Sequence, residues 1–275
     1  MARQNNLLHL TGTVGKLVSY ERNGQYFTRS KPVSVTQTEN TQKACVEFGR
    51  ASAAASKLIK GFHPLLRITP HDKAYQRLTG VLTKMMGSSS AKAIGKRLVT
   101  DGDPAYLHHF RFNQAYSVDR ALPIQIPPAT VMGGSAISFT VPAFDLSDVR
   151  IKKTNVAGIR IEIICMVSDL LLDDGTVFRF DELDLLFDQP AFAGGSVGIP
   201  VADTHNKLVI WGMSVHYLDL EQRVSQNKTT TAFDIVDALL VKKGKRVVFA
   251  TPDSPVAEST EPVERMPWNF RKPKQ

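Results

Sequence analysis

Two kinds of hydrophobic pattern follow one another along this chain. Near its start, residues 13–20 and 25–30 are rich in β-branched and aromatic residues and flank Asn23 and Gly24. Because both residues of an Asn-Gly pair tolerate positive φ, this pattern predicts a β-hairpin. We therefore expect residues 1–36 to form an extended β-hairpin arm.

The second pattern, over residues 37–105, places apolar residues at helical spacing. It predicts one helix that begins near Asn40 and ends near Gly61, and a second that begins after Pro70. A short basic helix is predicted over residues 91–99. The apolar face of the first helix comprises Ala44, Cys45, Phe48, Ala51, Ala55, Leu58, Ile59 and Phe62.

From residue 106 onward the pattern becomes that of short strands. Residues 137–141 and 159–163, for example, alternate between apolar and polar positions. Several such strands with no helical pattern between them predict an antiparallel β-sandwich over residues 106–251. Residues 252–275 are predicted to form a basic, proline-rich tail, and the chain as a whole is expected to adopt an α+β fold.

Charge is distributed unevenly along the chain. Residues 1–110 carry a net charge of +10, residues 111–241 a net charge of −6, and residues 242–275 a net charge of +4. A basic front and an acidic body on one molecule predict that copies dock head to tail through complementary charge.

The apolar segments and the cysteines indicate where the protein is located. The start of the chain lacks the apolar core of a signal peptide, and the longest apolar run, residues 161–172, is interrupted by Glu162 and Asp169, so we expect no membrane association. Cys45 and Cys165 each lie in an apolar run and are expected to be two buried thiols rather than a disulfide.

The sequence contains partial matches to catalytic and metal-binding motifs, but each lacks residues that the motif requires. Residues 194–198 match Gly-x-Ser-x-Gly, but no helical pattern follows, as a nucleophile elbow requires. Residues 12–16 lack the first glycine and the hydroxyl residue of a phosphate loop. The histidines, His216 among them, are isolated, and the acids of residues 169–188 lack calcium-loop spacing. The sequence predicts no enzyme activity, no cofactor and no metal.

The arm carries the candidate binding residues. Basic and aromatic side chains alternate on it, which suits either an acidic protein surface or the phosphates and bases of a nucleic acid. The candidate partner-binding residues are Lys16, Tyr20, Arg22, Tyr26, Phe27, Arg29 and Lys31.

Short motifs also carry a family resemblance; they are Gly12-Thr13-Val14-Gly15, Tyr20, Asn23-Gly24, Arg29-Ser30-Lys31-Pro32 and Leu208-Val209-Ile210-Trp211-Gly212-Met213-Ser214-Val215. On these residues the chain resembles an uncharacterised family of bacterial proteins common in the Bacteroidota, which opens with a Gly-x-Val-Gly hairpin and continues with a helix and a β-sandwich. The resemblance covers most of residues 10–240. It implies this architecture and a bacterial or phage context, and it assigns no activity.

These observations predict a non-enzymatic structural subunit that self-assembles into a homo-oligomer, as a component of a phage virion or tail or of a bacterial filament or tube. We expect synthesis in the bacterial cytoplasm without a signal peptide, with a virion or an extracellular assembly as the destination. The partners would be further copies of the chain and other assembly proteins. The alternative is a nucleic-acid-binding accessory protein that uses the same arm, and a third hypothesis is a carbohydrate- or ligand-binding sandwich that uses Trp211 or Trp268.

Overall fold

The computed structural model describes residues 2–4, 10–32, 34, 36–122, 124–132, 136–149, 155–168, 175–200, 207–225, 227 and 229–249. It has the α+β fold expected from the sequence, with several antiparallel sheets. The chain forms two compact units, residues 1–46 and residues 47–275. The predicted tail over residues 252–275 lies outside the described residues.

The first unit contains a four-stranded antiparallel sheet, here called the N-terminal sheet, with the order β1-β4-β3-β2. Asn23 and Gly24 have φ values of 53° and 73°, as the two central residues of a type I′ turn require. The predicted hairpin is therefore confirmed, and two further strands pair with it. The strands are β1 (Ala2–Arg3), β2 (Gly12–Val14), β3 (Leu17–Arg22) and β4 (Gln25–Ser30).

Helix α1 (Glu39–Gly61) is confirmed, but its predicted apolar face is only partly buried. Ala51 and Leu58 are fully buried, whereas Cys45 is exposed and Phe48 is 57% exposed. The prediction of two buried thiols is therefore wrong for Cys45 and confirmed for Cys165. Helical spacing shows which residues share a face, but the core covers α1 only from Ala51 onward.

The remaining helices of the second unit are short, apart from one. The prediction of a helix over residues 91–99 is wrong, because side chains of α1 hold this segment in another conformation. Glu47 Oε1 accepts the N–H of Gly95 at 2.8 Å, and Arg50 donates to the carbonyl of Arg97 at 2.8 Å. The helices are α2 (His63–Leu66), α3 (Ala74–Gly87) and α4 (Val118–Ala121), with 3-10 turns at Val99–Asp101, Pro104–Leu107 and Leu146–Asp148.

The strands of the second unit pair only in antiparallel fashion. The main sheet has the order β10-β9-β14-β15-β16, with β11 also paired to β9 and β5 to β15; two smaller sheets have the orders β13-β7-β6 and β12-β8. The bounds are β5 (Phe110–Arg111), β6 (Thr130–Met132), β7 (Ala136–Val141), β8 (Phe144–Asp145), β9 (Gly158–Ser168), β10 (Gly175–Arg179), β11 (Leu183–Leu186), β12 (Ala191–Phe192), β13 (Gly195–Pro200), β14 (Lys207–Leu218), β15 (Thr231–Lys242) and β16 (Lys245–Arg246).

The main sheet is the middle layer of the second unit. On β9, Cys165 belongs to the core shared with the small sheet that contains Phe139, whereas Ile164 and Met166 belong to the core shared with α1 and α3. Adjacent residues therefore face opposite layers, as the two-residue period of a strand requires. Because both faces of this sheet are covered, its three long strands are almost continuously buried.

Candidate functional site

The register of the N-terminal sheet places four of the seven candidate partner-binding residues on one face. Tyr20 lies opposite Phe27, with Arg22 and Arg29 two positions away from them along the same face. The rings of Tyr20 and Phe27 are stacked at 5.9 Å between centroids, and the guanidinium of Arg29 lies 5.8 Å from the Tyr20 centroid. We call these four residues the aromatic face.

The other three candidates lie elsewhere on the N-terminal sheet. Tyr26 is opposite Glu21, one position from Phe27, and therefore belongs to the other face. Lys16 and Lys31 lie at the end of the sheet away from the Asn23 turn, where the N–H of Lys31 donates to the carbonyl of Lys16 at 2.6 Å. The candidate set is thus the aromatic face and a pair of lysines at the end of the sheet beyond Arg29.

The described side chains of the N-terminal sheet form no buried layer. None of the described side chains of β2, β3 and β4 is buried; Val14 is 76% exposed and Leu17 is 49% exposed. Arg22 and Arg29 make no ion pair with any described residue. This surface can therefore stack on flat groups and attract carboxylates or phosphates.

A polar network occupies one end of the main sheet. Arg160 makes two bonds to Asp184, at 2.6 and 2.7 Å, and Arg179 reaches Glu162 at 2.9 Å. Glu182 joins both arginines, at 2.6 Å from Arg160 and 3.1 Å from Arg179. Burial raises the pKa of Glu162 despite the bond from Arg179. These five charges cross three strands and tie β11 and β10 to β9.

A histidine and a serine of β14 belong to the same network. Register pairs Ser214 with Glu162, and His216 with Arg160. His216 Nε2 lies 3.1 Å from Ser214 Oγ and 3.8 Å from Glu162 Oε1. His216 therefore has a serine and a glutamate as neighbours. The alternating polar positions on β9 and β14 were the available sequence signal, but the sequence does not show how the two strands pair.

This grouping does not have the geometry of a catalytic triad. A triad uses one ring nitrogen of histidine toward the nucleophile and the other toward a carboxylate. Here Nε2 faces both Ser214 and Glu162, and Nδ1 has no hydrogen-bond partner among the described residues. His216 is fully buried, and burial, together with Arg160, lowers its pKa to about 4. Ser214 therefore has neither an oriented base nor access to substrate.

A second histidine, just before β5, contacts a carboxylate near the middle of β15. His108 Nε2 is 2.7 Å from Asp237 Oδ1, while Asp237 Oδ2 accepts the N–H of Ala129 at 2.6 Å. The contact with Asp237 raises the pKa of His108. Burial acts to raise the pKa of Asp237, but the contacts with His108 and Ala129 outweigh it and lower that pKa. The pair fixes the segment before β6 against the main sheet.

The structure also locates the weaker sequence motifs. Ser196, the central residue of the Gly-x-Ser-x-Gly match, lies within β13, which pairs with β7. Trp211 is fully buried between Phe139 and Phe180, so it cannot bind a sugar; Trp268 lies outside the described residues. Among the described residues, no group of three or more histidine, cysteine or acidic side chains is placed to hold a metal ion.

No protein-family model matches this chain, and a comparison with curated proteins finds no similar one. The resemblance to the Bacteroidota family therefore stays a prediction. In the described part of the chain, no helix is both long enough and apolar enough to cross a membrane. The case for a function rests on the geometry of the surfaces described above.

Proposed function

We propose that this protein is a non-enzymatic structural subunit that assembles with further copies of itself through the N-terminal sheet. The observation that supports this is the lack of a buried layer on a sheet that carries Tyr20, Phe27, Val14 and Leu17. Small sheets are marginally stable in water unless one apolar face is packed. A neighbouring copy would supply that packing.

Charge favours a second copy of the chain as the occupant. Residues 1–46 contain six Lys/Arg and two Asp/Glu, a net charge of +4, whereas residues 111–241 have a net charge of −6. Exposed acids of that region include Asp188 and Glu221. The basic sheet of one copy therefore complements the acidic body of the next. Because the two surfaces differ, the contact is heterologous and can continue into a ring or a filament.

The size of the apolar contribution is sufficient for a specific contact. Burial of apolar surface contributes about 25 cal/mol per Å². Val14 and Leu17 lie on the opposite face, so a copy that covers the aromatic face buries mainly the rings of Tyr20 and Phe27, which would contribute about 3 kcal/mol before the cost of association. Exposed charge pairs would add attraction that is screened beyond about 8 Å at physiological salt.

Removing the charges of the aromatic face should disrupt assembly. We expect wild-type protein to sediment as larger species at about 50 mM than at about 500 mM salt, because screening weakens the charged contacts. The double variant Arg22→Ser/Arg29→Ser should sediment mainly as a monomer at both. The matched control Lys16→Ser/Lys31→Ser removes the same charge from the other end of the sheet and should retain most of the assembly.

The same variants separate this proposal from its alternative. The stacked rings beside two arginines could also hold bases and phosphates of a single-stranded nucleic acid. Fluorescence anisotropy with labelled single- and double-stranded oligonucleotides measures that activity directly. Salt-sensitive binding that is lost in Arg22→Ser/Arg29→Ser, with wild-type protein monomeric throughout, would replace the structural-subunit proposal with the nucleic-acid one.

A further inference from the structure

A cleft of about 670 Å³ lies in the second unit between the segment before and within β6 and the turn that joins β15 to β16. One wall is mainly apolar and the other carries three cations. The lining residues are Pro128, Ala129, Thr130 and Val131 on one side and Lys243, Gly244, Lys245 and Arg246 on the other. The volume is within the range of sites that bind small organic ligands.

Both walls are held in place by backbone structure. Lys243 and Gly244 have φ values of 48° and 70°, which define a tight two-residue turn, and Val241 pairs with Arg246 across it. On the opposite wall, the N–H of Ala129 donates to the buried carboxylate of Asp237 at 2.6 Å. The cleft is therefore a built feature of the fold.

The positive charge of this cleft is not neutralised by a described side chain. Lys243, Lys245 and Arg246 are exposed, and none of them forms an ion pair with a described residue. The charge of Arg246 helps to lower the pKa of the buried Asp237, but that carboxylate is held by His108 at 2.7 Å and by the N–H of Ala129 and makes no ion pair with Arg246. Three like charges that converge on one cleft repel one another unless an anion lies between them.

We propose that this cleft binds a small organic phosphate of about the size of a nucleotide. The three cations would hold a phosphoryl group that carries at least two negative charges, and the arginine could bind it through two parallel N–H bonds. Pro128 and Val131 offer an apolar surface for the organic part of the ligand, and the hydroxyl of Thr130 offers a hydrogen bond. The site belongs to the second unit alone and does not depend on the proposed function.

The neighbouring surface limits where the phosphate can lie. Arg246 also lines an adjoining cleft of about 300 Å³ that contains Asp103, whose carboxylate accepts the N–H of Ala105 at 2.9 Å. That carboxylate would repel an anion in the adjoining cleft. The side of Arg246 that faces Thr130 and Val131 has no acidic lining residue, so the phosphate is expected on that side.

Isothermal titration of the full-length protein tests this site with adenosine diphosphate as the probe. We expect saturable binding of adenosine diphosphate. Adenosine should bind at least about tenfold more weakly, because adenosine lacks the negative charge that the cations recognise. The triple variant Lys243→Gln/Lys245→Gln/Arg246→Gln should weaken binding by at least about tenfold. The charge-conserving variant Lys243→Arg/Lys245→Arg, which leaves Arg246 in place, should stay within about threefold of wild type, since the positive potential is kept.

Other outcomes would overturn the assignment. All three side chains are exposed, so neither variant should lose the fold, and circular dichroism checks this directly. Equal binding by the wild-type and triple-glutamine proteins would place the ligand elsewhere. Binding of an oligonucleotide with no binding of adenosine diphosphate would mean that the cleft is part of a nucleic-acid surface. The absence of saturable binding by either probe would refute the site altogether.

Discussion

Gly102→Ala is expected to destabilise the second unit by about 3 kcal/mol or more, because its new methyl group has no space. A Cβ at this position would lie 1.8 Å from the carbonyl oxygen of Met85, in the last turn of α3. That neighbour is backbone, so relief requires α3 to move away from the segment that follows Val99. The backbone of Gly102 is extended, with φ −95° and ψ 167°, so the effect is steric rather than conformational.

Urea unfolding measures this effect, and Gly80→Ala is its matched control. Gly80 lies in the exposed part of α3, and a Cβ there would have no atom within 4 Å. Alanine is the better helix former, so the control should be neutral or stabilised by about 0.5–1 kcal/mol. Equal free energies of unfolding for the two variants would contradict the close approach between α3 and the Gly102 segment.

Asp234 makes the stability of the second unit fall as pH rises. Its carboxylate is buried: Oδ2 accepts the N–H of Val118 at 2.8 Å, but Oδ1 has no hydrogen-bond partner among the described residues. Burial raises the pKa of Asp234 to about 7, while the charge of Arg111 acts against it and that of Asp119 adds to it. The unfolded chain loses this proton near the ordinary pKa of 3.8, well before the folded protein does.

The sign and the size of the effect follow from that difference. The stabilisation that comes from the raised pKa of Asp234 is fully present below about pH 4. Between about pH 4 and pH 7 the free energy of unfolding falls by an amount on the order of 4 kcal/mol. Asp234→Asn stays neutral throughout, and its amide oxygen can still accept the N–H of Val118. Relative to wild type, the variant should therefore gain about 4 kcal/mol between pH 4 and pH 8.

Urea unfolding at several pH values and constant ionic strength checks the prediction. Comparing the two proteins at each pH cancels the contributions of other buried groups, such as His216, whose lowered pKa changes stability in the opposite direction. Asp188→Asn, which removes an exposed carboxylate, shows whether burial causes the effect. A difference between wild type and Asp234→Asn that stays constant from pH 4 to pH 8 would contradict the prediction.

Local sequence patterns predicted local structure well in this protein. The Asn23-Gly24 pair specified the turn of the hairpin because few residues other than these adopt its positive φ values. Alternation over residues 159–163 specified a strand with two different faces, and these residues form the first half of β9. These features depend on residues that are neighbours in the chain, so no tertiary information was needed.

Features that depend on distant residues were not predictable. The segment over residues 91–99 departs from a helix because Glu47, 48 positions before Gly95, bonds to it. His216 meets Glu162 only through the register of β14 on β9, which the sequence does not encode locally. The exposure of Phe48 was not predictable, because helical spacing does not show how far the core extends along α1. Likewise, the cleft beside Lys243 joins segments more than a hundred residues apart, as its lining residues show.

Sedimentation velocity of a variant that lacks residues 1–32 tests the central proposal most directly. The second unit has its own two hydrophobic cores, with Trp211 and Phe233 fully buried, so it should remain folded and unfold cooperatively. We expect the full-length protein to form concentration-dependent oligomers at low salt and the truncated protein to sediment as a monomer over the same range. Oligomers of the truncated protein that match those of the full chain, or a full-length protein that is monomeric at every concentration, would contradict assembly through the N-terminal sheet.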